Sequence, residues 1–171
     1  MTPAILDVEA SGFGRGSYPV EVGFVLPDGR SHCRLIRPEA EWLEWDDEAE
    51  QLHGISRAQL QKNGRSAFEV AQFLNDHLAG LTVYSDAWGN DQSWLALLFE
   101  CADLRIKFRL DTLRALLSEE QLQLWSTTKE DVERELALGR HRASNDARVL
   151  QLAYQRTLSL VGGDAARRER V

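Results

Sequence analysis

Ala4-Ile5-Leu6-Asp7-Val8-Glu9-Ala10-Ser11-Gly12-Phe13-Gly14 is the stretch whose reading decides the fold. Ile5, Leu6 and Val8 make a short apolar run that reads as a strand, and Asp7 and Glu9 are set inside it. Side chains two apart on a strand share a face, with Cα atoms about 6.5–7 Å apart. Two carboxylates side by side in a buried strand repel each other and lose solvation, an arrangement that makes sense with a cation between them. Ser11-Gly12 follows as a turn, which puts the pair near the carboxyl end of the strand, where open α/β sheets tend to bind ligands. The same D-x-E spacing recurs in Asp46-Asp47-Glu48 and Asp131-Val132-Glu133. Both copies lie in polar, helix-like surroundings and read as solvated helix faces.

The chain around this strand is 171 residues long, 43% hydrophobic and 27% charged, the balance of one globular domain. The expected domain covers residues 1–161, and 162–171, with Arg167, Arg168 and Arg170, reads as a loose tail. No apolar run approaches the ~18 residues of a membrane helix. Met1-Thr2-Pro3 does not read as the start of a signal peptide, and Cys33 and Cys101 sit far apart in unrelated contexts, so a cytoplasmic location is the expectation. A net charge of −7 argues against a basic, non-specific nucleic-acid binder but not against a nucleic-acid enzyme whose acidic site is offset by divalent metal.

Going on from the first strand, Val20 to Leu26 reads as a second strand, Pro27-Asp28-Gly29-Arg30 as a turn, and Ser31 to Ile36 as a third strand running back. Asp46 to Gln51 is a short helix ending at His53-Gly54, and Ser56 caps another. Ser66 starts a firmer helix with Phe68, Val70, Ala71, Phe73, Leu74 and Leu78 on one face, closed by Gly80. Leu81 to Tyr84 is a buried strand, followed by a helix through Trp94, Leu95, Leu98 and Phe99. Arg105 to Leu110 is the expected last strand, with a helix from Asp111, another from Thr127 or Thr128 to near Gly139, and a final one from Ser144 or Asn145. A meander followed by alternating strands and helices implies a mixed sheet flanked by helices.

His141 and Asp146 lie five apart in Gly139-Arg140-His141-Arg142-Ala143-Ser144-Asn145-Asp146. In one continuous helix such positions point about 140° apart, at ~100° per residue. They can serve one site if the helix begins between them, as the cap signal at Ser144-Asn145 allows. Asp146 is then held in a first turn while His141 rides a loop. A fixed carboxylate suits a metal ligand and a mobile imidazole suits a general base. Taken alone, this is also the look of an ordinary helix cap beside a surface histidine.

Together, Asp7-x-Glu9 in a first strand, an aspartate at the start of a helix after a later strand, and His141-x-x-x-x-Asp146 opening a late helix resemble the DEDDh exonucleases, the branch of the proofreading exonucleases and ribonuclease T. The resemblance runs over residues 4–155, and His53-Gly54-Ile55 adds a further mark of that branch. It implies an α/β, ribonuclease H-like fold with a mixed five-stranded sheet, and 3′→5′ removal of nucleotides from single-stranded 3′ ends, RNA and DNA both open. It also implies that Asp7, Glu9, Asp91 and Asp146 hold two Mg²⁺ or Mn²⁺ ions and that His141 activates the water. Asp91 rather than Asp86 is assigned as the third carboxylate, because the spacing to Leu95 gives the D-x-x-x-L of the family, whereas Asp86 falls where relatives usually carry histidine. Relatives often read D-x-E-T-T-G where this chain has Ala10-Ser11-Gly12, and H-N-x-x-F-D where it has Asp86-Ala87-Trp88-Gly89-Asn90-Asp91.

Phe13 matches the place of an apolar wedge against the terminal base, Trp88 is the best candidate for base stacking, and His53 joins them as a substrate contact. Trp42 and Trp45 also lie where loops can face the cleft, while Trp94 and Trp125 read as core, and His32 and His77 as structural. An acidic chain acting on a polyanion gains from a basic patch on a partner subunit, so a homodimer is an expectation. The rival reading is a non-catalytic nucleic-acid-binding or scaffold module that has kept the fold.

Overall fold

The computed structural model describes residues 1–137 and 141–168. Five strands form one mixed sheet: β1 (Ala4–Ala10), β2 (Pro19–Val25), β3 (Ser31–Leu35), β4 (Thr82–Ser85) and β5 (Arg109–Thr112), in the order β3-β2-β1-β4-β5. β1 is central, antiparallel to β2 and parallel to β4. β2 and β3 complete the expected meander, and β5 adds on parallel to β4. The helices are α1 (Asp47–His53), α2 (Arg57–Asn63), α3 (Ala67–Leu78), α4 (Trp88–Cys101), α5 (Glu119–Leu136) and α6 (Ala143–Arg168), with a 3₁₀ turn at Leu113–Leu116.

The alternation of β1 sorts its side chains between two layers. Leu6, Val8 and Ala10 join a large core with Val22 and Phe24 of β2 and with Leu74, Leu95 and Leu98 of α3 and α4. Ile5 faces the other way, onto Ala147, Leu150 and Tyr154 of α6. Asp7 and Glu9 continue that second face, so the strand period carries them toward the start of α6. A register irregularity between Glu9 and Ala10 ends the regular pairing with β2 just beyond the acids, as bulges beside functional sites often do.

Two contacts fix α6 on the sheet. Gln151, fully buried, donates from Nε2 to the carbonyls of Pro3 and Leu26, both at 2.9 Å. Gly23 of β2 lets the helix start come down on the strand: a Cβ there would stand 2.2 Å from the Ser144 nitrogen and 2.4 Å from the Ala143 carbonyl carbon.

Several expected boundaries move. Residues 105–107 are not strand, because the buried Asn75 side chain takes their hydrogen bonds, donating to the Arg105 carbonyl and accepting from the Lys107 N–H, each at 2.9 Å. No helix starts at Asp111, which is in β5, nor at Thr127 or Thr128. α5 begins at Glu119, where Ser118 and Gln121 form a reciprocal capping box. α6 begins one residue earlier than the Ser144-Asn145 cap signal implies, and it continues through 162–168, positions read from sequence as tail. Gly139 and Arg170 lie outside the described residues. Among the described residues, no helix is long and apolar enough to cross a membrane.

Candidate active site

The carboxyl end of β1 carries Asp7 and Glu9. Burial pushes the Asp7 carboxyl well above its usual range, and the nearby charges of Asp91, Glu9 and Asp146 push it further. Glu9 is raised from 4.5 to about 7 by burial first, then by Asp146, Glu21 and Asp91, with Arg142 opposing. Carboxylates that raise one another's pKa in a partly buried cluster mark a place built for added positive charge.

Asp91 lies in the first turn of α4, fully buried. Its Oδ2 accepts from the Ser85 hydroxyl at the end of β4. Among the described residues its Oδ1 has no hydrogen-bond partner. Burial lifts its pKa from 3.8 to about 7, the Ser85 bond draws it back, and Asp86 adds to the rise. A buried carboxylate oxygen with nothing to bind is costly, and a bound cation removes that cost.

Asp146 sits in the first turn of α6, its N–H bonded to the Arg142 carbonyl at 3.0 Å. His141 lies outside the helix with φ 56°, so the helix does begin between the two residues. Glu9, His141 and Asp146 bring ligand atoms within 4.8 Å of one another. Asp7 and Asp91 stand outside that group of three but couple to it through their charges. The hard oxygen donors, the orphaned Asp91 oxygen and the mutually raised carboxyls fit divalent metal of the Mg²⁺ or Mn²⁺ kind.

A cavity of about 140 Å³ opens here, lined by Asp7, Asp86, Lys129, Glu133, His141 and Asp146 among others. Asp86 lies on its wall, paired with Lys129 at 3.1 Å. The two aspartates after β4 thus differ in kind: Asp86 has a cation of the protein beside it, and Asp91 has one hydroxyl. Lys129 carried no sign in the sequence, and Glu133, expected on a solvated helix face, lines the cavity instead. They are four apart on α5, hence on one face, and the packing of Val132 on Val149 and Ala153 of α6 turns that face to the cavity.

The candidate substrate contacts divide. Phe13 is 74% exposed and leans on Trp94, ring centroids 6.2 Å apart, so it is not core. Trp88 is also exposed, with Nε1 3.4 Å from the Leu110 carbonyl. His53 is buried: Nδ1 accepts from the Ile55 N–H at 3.0 Å and the ring meets Trp45 edge-on. Its burial takes it off the solvent-facing surface. Trp42 is core, stacked on Tyr18, and Trp45 is half-buried with its N–H on Glu50. Trp94 is buried as expected, whereas Trp125 is half-buried and lines a side pocket beside Asp86. His32 and His77 pack in an aromatic group with Phe24 and Phe73.

No family model and no curated protein matches the sequence. Solved structures do resemble its architecture. E. coli exonuclease I with a dA16 oligonucleotide is 10% identical at a TM-score of 0.66, over 87% of this chain and 39% of that one. The zinc-bound E. coli exonuclease I–ssDNA complex is 10% identical at 0.62, over 89% and 39%. A moderately thermophilic exonuclease I from Methylocaldum szegediense is 14% identical at 0.63, over 87% and 38%. The fold is that of a ribonuclease H-like exonuclease. This chain spans about two fifths of the length of the exonuclease I chains, and at these identities the likeness is one of fold.

Proposed function

We propose that this chain is a metal-dependent 3′→5′ exonuclease of the DEDDh kind, hydrolysing phosphodiester bonds at the 3′ ends of single-stranded nucleic acid. The observation that carries this reading is the set of raised carboxyls, Asp7, Glu9 and Asp91, beside Asp146 and His141 on an exonuclease fold.

Asp7, Glu9, Asp91 and Asp146 would hold two divalent cations. When bound, these supply the positive charge that stabilises both the attacking and the leaving oxygen of an in-line displacement. His141, half-exposed at the cavity wall, accepts the attacking water's proton on an imidazole nitrogen and passes it to solvent. Its left-handed backbone places it outside α6, so the ring approaches Asp146 from the loop side rather than from a helical neighbour position. Phe13 and Trp88 offer exposed faces on which bases of any identity stack. DNA is the first substrate to try, because the E. coli exonuclease I structures hold single-stranded DNA.

The test is a panel of 3′- and 5′-labelled DNA and RNA oligomers, single- and double-stranded, with Mg²⁺ or EDTA. Stepwise shortening from the 3′ end that stops in EDTA is the expected result. Cleavage that persists in excess EDTA sinks the metal reading, and the absence of cleavage on every substrate favours the scaffold alternative.

A further inference from the structure

Glu21 takes no part in the chemistry above, yet it is a buried carboxylate directly across the ladder from Glu9. It is 1% exposed. Arg142 grips it through Nε, at 3.1 and 3.2 Å from its two oxygens, and through Nη2 at 2.7 Å. The Ala143 N–H, the first of α6, donates to Oε2 at 3.0 Å. A strand residue thus does what a local Ser or Asp usually does at a helix start. Two residues along, the bare main chain at Gly23 receives the Ala143–Ser144 backbone.

Arg142 is therefore tied at both ends. Its guanidinium is on Glu21 and its carbonyl takes the N–H groups of Asn145 and Asp146, at 2.8 and 3.0 Å. His141 is the next residue back, in a left-handed backbone conformation that a β-carbon disfavours and that surrounding structure has to hold. The fixed point adjacent to it is Arg142. Asp146 is secured in addition by the helix itself and by the Gly23 contact, so a loosened Arg142 is felt first at His141.

We propose that Glu21 is the positioning residue for His141: by clamping Arg142 and the first N–H of α6 it keeps the imidazole beside Glu9 and Asp146. Its catalytic consequence rests on His141 being the proton acceptor of the proposed reaction. The clamp itself is a matter of geometry and is tested separately.

Turnover on a labelled single-stranded oligomer with Mg²⁺ is measured for wild type, Glu21→Gln, His141→Ala and the double variant. Misplacing a reacting group by about 1 Å can cost roughly a hundredfold, so Glu21→Gln is expected to lower kcat by about ten- to a hundredfold with KM little changed. Added to His141→Ala, it costs less than about twofold, because the group it positions is gone. Equal losses in both backgrounds, or an unchanged kcat, overturn the proposal. The second readout needs no activity: the His141 imidazole C–H signal, assigned by its absence in His141→Ala, is recorded at fixed pH without divalent metal. It moves toward the position of free histidine in Glu21→Gln. An unchanged signal overturns the clamp whether or not the chain cleaves anything, whereas a wild type that cleaves nothing while the signal moves defeats the exonuclease reading alone. Should Glu21→Gln fail to fold, Arg142→Lys, which keeps the charge and gives up the two-pronged grip, gives the same pattern at smaller amplitude and is judged by the same outcomes.

Discussion

Glu21 and Asp91 are both buried carboxylates within the electrostatic reach of Glu9, and they are treated in opposite ways. Around Glu21 the protein supplies a guanidinium and a helix-end N–H. Around Asp91 the described residues supply one hydroxyl and leave an oxygen without a partner. Burying a charge is tolerable when it is paired and hydrogen-bonded, and costly otherwise. The chain evidently can neutralise a buried acid when that serves the fold. Where it has not done so, the proposed divalent cations would supply the charge, and the contrast sets the two acids apart within one small volume.

The contrast breaks most visibly at Asp91. Asp91→Asn keeps an acceptor for Ser85 and removes the uncompensated charge, so it is expected to abolish cleavage yet melt no lower, or higher, than wild type in EDTA near pH 8. Glu21→Gln is expected to melt lower under the same conditions, since it leaves Arg142 without its counter-charge. Melting curves of the two variants that shift in the same direction remove the distinction. His141→Ala comes next. Turnover should fall by roughly 10²–10⁴-fold, the usual range for a general base, while Mn²⁺ still raises the melting temperature as it does in wild type. A variant as fast as wild type across pH 6–9 means that another group takes the proton.

A smaller effect lies in the pH dependence of the metal-free protein. Glu9 and Asp91 titrate near 7 when folded, against 4.5 and 3.8 for the free side chains. Between those limits the folded chain holds protons that the unfolded chain has released, so their contribution to stability is present at low pH and is lost as pH rises through 7. The melting temperature in EDTA should therefore fall from pH 5.5 to pH 8. Divalent metal should cancel the fall, since one ion at ~100-fold excess over its dissociation constant is worth about 2.7 kcal/mol. A flat EDTA profile contradicts the raised carboxyls. Smallest is Asp86→Asn, which frees Lys129 and touches no proposed ligand. It should keep at least about a tenth of the activity, and a loss as deep as that of Asp91→Asn moves the third carboxylate from the helix to the loop.

The meander, the burial of β1 and the split between His141 and Asp146 were legible because each rests on neighbours in sequence: an alternation, a turn, a cap. The choice of Asp91 over Asp86 rests on the resemblance, but its place in the first turn of a helix was legible. The Glu21–Arg142 pair was not, since its halves are 121 residues apart. Yet Val20-Glu21-Val22 carries the same sign that singled out Asp7, an acid inside an apolar strand, and the missing information was which cation answers it. The side of the cavity formed by Lys129 and Glu133 stayed hidden because the face that this helix turns to the site is decided by its packing on α6, through Val132 against Val149 and Ala153, and by no local signal. The burial of His53 was not legible, since nothing local to His53-Gly54-Ile55 tells a buried ring from an exposed one.

The anchoring of α6 by Gln151 to Pro3 and Leu26 has a consequence in time as well as in space. The first strand holds two acids whose companions, Asp146 and His141, arrive some 140 positions later, and contacts that distant in the chain form late. During synthesis from the N-terminus, β1 to β3 can pair while the final helix does not yet exist. Until that helix docks, Asp7 and Glu9 have neither partner beside them, and the strand lies open to water where their charges are well solvated. The grouping of these four side chains is thus the last feature the chain acquires, and the proposed nuclease chemistry would be absent from a copy ending before α6.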